Sequence, residues 1–238
     1  TLTSGIQEAI NYIINTKGGA GGVVCIAPGT YYVNWVSDQG ISNAIGIMLD
    51  GFSNITIRGA GMDRTVIQYK SAEYLPYIFS LPNASNIVIR DLTMLAYDVN
   101  DNPGQGIYLQ NTNGLVVEGV HYRGNAILST CTAADGTPFP CTTCPSPGCS
   151  GGLNNSNYPP SSDLVFRSNI IEFGHGQLNL RWTSDVFIEG NVFRYSYGDH
   201  IIHSYNNIPS NEQPPVTNVV IRNNKFLFAG DTVIDIIS

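Results

Sequence analysis

Charge is scarce in this sequence. Only 12% of its 238 residues are Asp, Glu, Lys or Arg, and the balance is negative, at −7 with a pI near 4.9. Nucleic acid is excluded as an expected partner, because neutralising phosphates takes a basic surface. An acidic polysaccharide would need a local basic patch or a bridging cation. Long apolar runs are missing too. No stretch of 18 apolar residues occurs, so no segment reads as a membrane-spanning helix. The chain begins at Thr1 without a methionine or a leader-like segment, which reads as the product of processing.

Cysteine is sparse except in one place. Cys25 sits alone in the apolar run Val23-Val24-Cys25-Ile26 and reads as a buried free thiol. The other four, Cys131, Cys141, Cys144 and Cys149, crowd into a stretch rich in Pro, Gly, Ser and Asn. Two disulfides in an exported loop are the leading expectation, with the pairing open. Zinc is the rival, since Cys141-x-x-Cys144 has ligand spacing, but the outer spacings fit no zinc ribbon. The sequons at Asn54, Asn83 and Asn154 permit glycosylation without requiring it.

What is abundant is repetition. Ser162-Asp163-Leu164-Val165-Phe166-Arg167, Ser184-Asp185-Val186-Phe187-Ile188-Glu189 and Thr217-Asn218-Val219-Val220-Ile221-Arg222 repeat one phrase. It consists of a polar pair, an alternating apolar strand and a charge, followed by a small or polar residue and an asparagine. Asn86 to Arg90, Gly114 to Glu118 and Asn54 to Arg58 are further copies. The step from Arg167 to Glu189 is 22 residues, which suits one coil of a parallel β-solenoid. With 42% hydrophobic residues, the chain is expected to form a single domain over 1–238.

Aligned coils define columns, because equivalent positions stack one strand spacing apart. Arg58, Arg90, Glu118, Arg167, Glu189 and Arg222 form one column, whose sign alternates from Arg90 onward. Arg123, Glu172 and Arg194 form a second, five positions later. Both read as ion-pair ladders on the outside, each pair worth under about 1 kcal/mol but jointly resisting slippage. Asn169, Asn191 and Asn224 read as an asparagine ladder in a turn. Met94, Tyr122, Ile171, Phe193 and Phe226 read as core. These columns account for Glu118, Glu172, Glu189 and much of the positive charge without invoking function.

Upstream, Ser4 reads as a helix cap with Gln7 reaching back to it, and Ile6, Ile10, Ile13 and Ile14 form an apolar stripe. A capping helix over residues 1–17 is expected to cover the first apolar layer. Gly18 to Gly22 ends it, and strands follow at Val23 to Ala27 and Tyr31 to Val33 around a Pro28-Gly29 turn.

This helix, then Gly-Gly-x-Val, Pro-Gly-x-Tyr and repeated Asn-led strands, resembles the entry to the pectate-lyase-like superfamily over essentially the whole chain. The resemblance implies an all-β fold, a right-handed parallel β-helix of roughly eight coils with a short N-terminal helical cap. It is specific for fold and spans lyases, hydrolases, epimerases, tailspikes and adhesins. Hydrolases of this fold use clustered aspartates, whereas Asp50, Asp91 and Asp199 are scattered here.

Coil lengths point to the working face. The step from Glu118 to Arg167 is 49 residues, read as two coils plus a short insertion, and that from Glu189 to Arg222 is 33. The Cys-rich insertion 129–161 and the loop Tyr205 to Pro215 are expected to leave at one corner and flank one face, which marks a binding side. Near it lie His175 and Gln177, then Asn179, Arg181 and Trp182. One coil later come Tyr197, Asp199, His200 and His203, then Tyr205. His203 falls within one position of Leu180 or Arg181.

Abstracting a proton beside a uronate carboxylate needs a cation, a base and an acid. Arg181 can neutralise, His200 or His203 can act as base and Tyr197 as acid, with Asp199 beside them. Tyr197-Gly-Asp199-His200 is loosely similar to the Tyr-Gly-x-Asp-Pro-His of uronan epimerases, without the proline or the spacing. His175, Gln177, Asn179, Trp182 and Tyr205 are the candidate substrate contacts. A three-histidine metal site is a weaker alternative. Asp98, Asn100 and Asp101 could hold calcium, against the plainer reading of a solvated turn. No other cofactor is implied. The 13 tyrosines can stack on sugars or fill corners.

The terminal strand Val233 to Ile237 would leave an exposed edge, so further chain or a partner copy is expected to cover it. The expected partner is a polysaccharide or surface glycan, at an extracellular or cell-surface location. The rival function is a non-catalytic adhesin, filament or tailspike module assembling through its coil ends.

Overall fold

The computed structural model describes residues 3–16, 20–33, 45–69, 77–95, 105–123, 131–132, 138–139, 153–155, 161–172, 178–180, 183–196, 201–204, 216–229 and 233–236. Its strands lie in parallel on three sides of a solenoid. On the first side the strands Gly22–Cys25, Ile55–Arg58, Ser85–Leu95, Asn113–Arg123, Ser161–Arg167, Thr183–Glu189 and Thr217–Arg222 pair in that order. The second side comprises Gly29–Val33, Thr65–Tyr69, the C-terminal halves of Ser85–Leu95 and Asn113–Arg123, then Ile170–Glu172, Val192–Ser196 and Lys225–Ala229. The third side is a four-stranded sheet ordered Ile45–Met48, Tyr77–Pro82, Gln105–Gln110, Leu153–Asn155, followed by a three-stranded sheet ordered Leu178–Asn179, Ile202–Ser204, Ile234–Ile236.

Among the described residues, seven strands on the first side make seven coils, against roughly eight expected. The difference lies in the 49-residue step. Glu118 pairs directly with Arg167, so the step is one coil carrying a long insertion. Most of that insertion, 124–152, falls between the second-side strand ending at Arg123 and the third-side strand Leu153–Asn155. Segment 205–215 falls instead between a third-side strand and a first-side strand. The two insertions therefore enter at different corners, against expectation. Cys131 lies in a two-residue strand paired antiparallel with Pro138–Phe139; the other three cysteines of the cluster lie outside the described residues.

The polar pair that opens each repeat has a backbone role. Its second member takes a left-handed conformation at every level: Gly21, Asn54, Asn86, Gly114, Asp163, Asp185 and Asn218 all have φ between 53° and 84°. The residue after the charge does the same at Asp91, Gly119, Ser168, Gly190 and Asn223. Only Gly, Asn and Asp tolerate this region cheaply, which accounts for the composition of these two columns, with Ser168 the one exception. Side chains then link coils, as in Asn86 Nδ2 donating to Asn54 Oδ1 at 3.1 Å and Asn218 Nδ2 to Asp185 Oδ1 at 2.9 Å.

The asparagine ladder is present, with Asn169 and Asn191 buried and Asn224 half-buried. Asn169 Oδ1 accepts from Val120 N, Asn191 Oδ1 from Asn169 N and Asn224 Oδ1 from Asn191 N, all at 2.9–3.0 Å. Their amides donate to the carbonyls of Val117, Phe166 and Ile188. Met94, Tyr122, Ile171, Phe193 and Phe226 stack in register inside, with Phe193 and Phe226 rings parallel at 5.2 Å.

The helix Ile6–Thr16 covers the first coil, with Ile6 and Ile10 buried. Its cap is Thr3, not Ser4: Ile6 N donates to Thr3 O, and Thr3 Oγ1 donates to Glu8 at 2.7 Å. Ser4 takes a left-handed φ of 51° and donates instead to Tyr32 O. Gln7 turns away from the cap and holds the edge strand, accepting from Met48 N at 2.7 Å and donating to Met48 O at 3.0 Å. A side-chain amide thus supplies the hydrogen bonds that a further strand would make. Cys25 is free, as expected, but exposed. Strand alternation turns Val24 and Ile26 inward, which leaves Cys25 on the outer face in register with Arg58.

Candidate functional site

The third side carries one row of positions formed by Met48, Ser80, Tyr108 and Asn154, and a second row formed by Asn179, His203 and Asp235. Tyr77 and Tyr108 pack ring to ring at 4.8 Å with Met48 against them. Asn179 and His203 each follow a buried core residue, Leu178 and Ile202. The register places His203 opposite Asn179, one position from Leu180, with Asp235 on its other side.

The other expected site residues, Arg181, Asp199, His200, Tyr197, His175, Gln177, Trp182 and Tyr205, lie outside the described residues. So do the calcium candidates Asp98, Asn100 and Asp101. Chain order still constrains them. Segments 96–104, 124–152, 173–177 and 197–200 each connect a second-side strand to the third-side strand that follows it. His175 and Gln177 precede the strand Leu178–Asn179, while Tyr197, Asp199 and His200 precede its direct neighbour Ile202–Ser204. Among the described residues no cluster of three or more His, Cys, Asp or Glu could hold a metal.

One charged cluster was not singled out by the sequence. Glu172 belongs to the second expected ladder, in register with Arg123 and Arg194. The expectation placed it outside, but its side chain is only 4% exposed. Glu172 Oε1 meets Arg123 Nε at 2.8 Å and His121 Nε2 at 2.9 Å, and Arg194 Nε donates to its other oxygen. The far nitrogen of His121 meets Asp63 Oδ1 at 2.9 Å. Asp63 N in turn donates to Thr93 Oγ1 at 2.9 Å. Both ring nitrogens of His121 thus face carboxylate oxygens. The signal available in sequence was the position of His121 two residues before Arg123, on the same strand face.

This cluster spans the coils of Asp63, Thr93, His121, Glu172 and Arg194. Arg123 and Glu172 are the last described residues before segments 124–130 and 173–177, and Arg194 lies just before 197–200. Its chemistry is positional: it pins the strand ends from which the third-side corner departs.

The sequence matches no protein-family model and no curated protein. Solved structures do resemble it. The A-module of the mannuronan C-5 epimerase AlgE6 of Azotobacter vinelandii superposes with a TM-score of 0.57 at 20% identity, over 93% of this chain and 53% of that one. ORF18 of Geobacillus virus E2 gives 0.55 at 17%, over 96% of this chain and 38% of that one. The chain is a right-handed parallel β-helix. The surface adhesin PfbA of Streptococcus pneumoniae shares the β-helix with a TM-score of 0.51 at 14% identity, over 93% of this chain and 68% of that one. This β-helix spans about half the length of the epimerase module and less of the viral protein.

Proposed function

We propose that this β-helix binds an acidic polysaccharide along its third side and performs proton-transfer chemistry at a uronate there. The observation that supports the reading most is the register of His203 between Asn179 and Asp235, beside strands entered from the segments that carry His175, Asp199 and His200. Arg181 neutralises the carboxylate, His200 or His203 removes the adjacent proton, and Tyr197 returns one. The likeness to a mannuronan epimerase module agrees with this substrate class.

A second reading has its own support. The surface adhesin PfbA shares the fold at a similar score, which favours a non-catalytic surface, filament or tailspike module, placed outside the cell. One experiment separates the two. The protein is incubated with alginate, polygalacturonate and neutral glucans, with and without calcium. Unsaturated uronate absorbance, reducing ends and the C-5 configuration by proton NMR are followed, with Arg181→Ala and His203→Ala in parallel. Turnover lost in both variants supports the enzyme. Binding without turnover supports the adhesin-like module, and no interaction with any uronan overturns the proposal.

A further inference from the structure

The charge ladder of the first side breaks its own rule at one end. From Arg90 onward each arginine lies beside a glutamate on an adjacent coil, with Arg90–Glu118 at 3.6 Å, Arg167–Glu118 at 3.0 Å and Arg222–Glu189 at 2.8 Å. Arg58 and Arg90, however, are direct register neighbours of like sign. Like charges opposite each other on adjacent strands repel. A single carboxylate oxygen, Asp91 Oδ2, relieves this by accepting from Arg58 Nε at 3.3 Å and Arg90 Nε at 2.9 Å. Both contacts use the inner nitrogen. The two terminal nitrogens of Arg58 have no partner among the described residues, and its side chain is 58% exposed.

The backbone opens a cleft at this end. In the coils of Arg90 and Glu118 the chain passes from first to second side through one left-handed residue, Asp91 or Gly119. In the coil of Arg58 the same corner takes the wider path Gly59 to Arg64, and the coil before it turns at Pro28. The result is an open cleft of about 640 Å³ lined by Cys25, Arg58, Arg90 and Asp91 with the backbone of Gly59 and Gly61. Gly59 has no room for a side chain, since a Cβ there would sit 2.2 Å from Asp91 O.

We infer that this cleft is a second glycan site, which holds a carboxylate of an acidic polysaccharide on the guanidinium forks of Arg58 and Arg90. A planar carboxylate matches the end-on geometry of a guanidinium, and two forks one strand spacing apart, about 4.8 Å, can share one. The bound anion completes the alternation that the column lacks. The site lies on the first side, whereas the chemistry proposed above lies on the third, so it anchors the polymer apart from any turnover. It rests on the functional reading only for the choice of a uronate as ligand.

Cys25 supplies the test, because its exposed thiol lies in the cleft. Alkylation of Cys25 by the neutral reagent iodoacetamide is followed on its own peptide by mass spectrometry, with oligogalacturonate, maltohexaose or inorganic sulfate present. Oligogalacturonate is expected to slow the reaction several-fold and maltohexaose not at all. Arg58→Ala, at an exposed position, is expected to raise the half-protecting concentration about tenfold, equivalent to about 1.4 kcal/mol. Asp91→Asn is expected to lower it, since the competing carboxylate is gone. No protection, equal protection in Arg58→Ala, or protection by sulfate as strong as by oligogalacturonate would each overturn the inference. His203→Ala should retain full protection. Protection without turnover on any uronan keeps this site while removing the third-side chemistry, and turnover without protection does the reverse.

Discussion

His121 Nε2 lies 2.9 Å from Glu172 Oε1, although 51 residues of chain separate them. Glu172 is buried and carries the contacts of His121, Arg123 and Arg194 at once. Removing one partner of a buried ionic group leaves the others desolvated and uncompensated, at a cost of about 3–5 kcal/mol. Glu172→Gln is expected to lower stability by that amount in urea denaturation. Glu189→Gln, on the exposed ladder, is expected to change it by under about 1 kcal/mol. Equal effects would mean that Glu172 is no more than a ladder residue.

The asparagine ladder predicts a loss of similar weight at a neutral residue. Asn191 is fully buried, accepts from Asn169 N and donates to Phe166 O. Asn191→Ala orphans two buried backbone groups, for a loss of about 3 kcal/mol. Asn191→Asp keeps the acceptor but cannot donate to Phe166 O, and is expected to destabilise as well. Equilibrium unfolding of the two variants checks both statements, and an unchanged midpoint in either refutes the ladder as a source of stability.

Tyr122 predicts an alkaline limit. Burial pushes its hydroxyl well above the ordinary value near 10, and a hydrogen bond with the Gly106 backbone offsets this only in part. The folded state therefore keeps a proton that the unfolded chain releases. The stabilisation is fully present below about pH 10 and is lost as pH rises beyond it, by up to about 1.4 kcal/mol per pH unit. Urea unfolding between pH 9 and 11 is expected to show this slope, reduced by one proton in Tyr122→Phe. Identical slopes in both proteins would remove Tyr122 from the account.

Gly106 is predicted to be intolerant of any side chain. A Cβ there would lie 2.5 Å from Cε2 of Tyr122, whose ring is locked in the core. Gly106→Ala is expected to cost about 1–3 kcal/mol through overpacking. Pairing it with a smaller residue at position 122 is expected to restore part of the loss, which a double-mutant cycle measures. Additive effects would place the strain elsewhere.

Much of this architecture was legible because it is local or periodic. The Arg58 to Arg222 column and the Asn169 to Asn224 column follow from counting, and both register as expected. What failed depends on chain far away in sequence. The pairing of His121 with buried Glu172 on one side and with Asp63 on the other joins residues 51 and 58 positions apart, which no repeat announces. Cys25 was misjudged by one step of strand alternation. A 49-residue step reads equally as two coils or as one coil with a long insertion, because length alone does not distinguish them. Thr3 displaced Ser4 as cap because Ser4 adopts a left-handed backbone. Of the third-side site, the register of His203 beside Asn179 was legible to within one position, because it rests on the same coil arithmetic.

Alternation along the first side also sets an arithmetic for how such a chain can grow. Copying the single coil from Arg167 to Ile188 would lengthen the molecule by about 4.8 Å and place two arginines side by side. Copying two consecutive coils between Arg90 and Arg222 would leave each arginine of that stretch facing a glutamate. Even-numbered duplication there is thus electrostatically silent and odd-numbered duplication is not, so the sign of one exposed column acts as a parity check on the length of the alternating stretch.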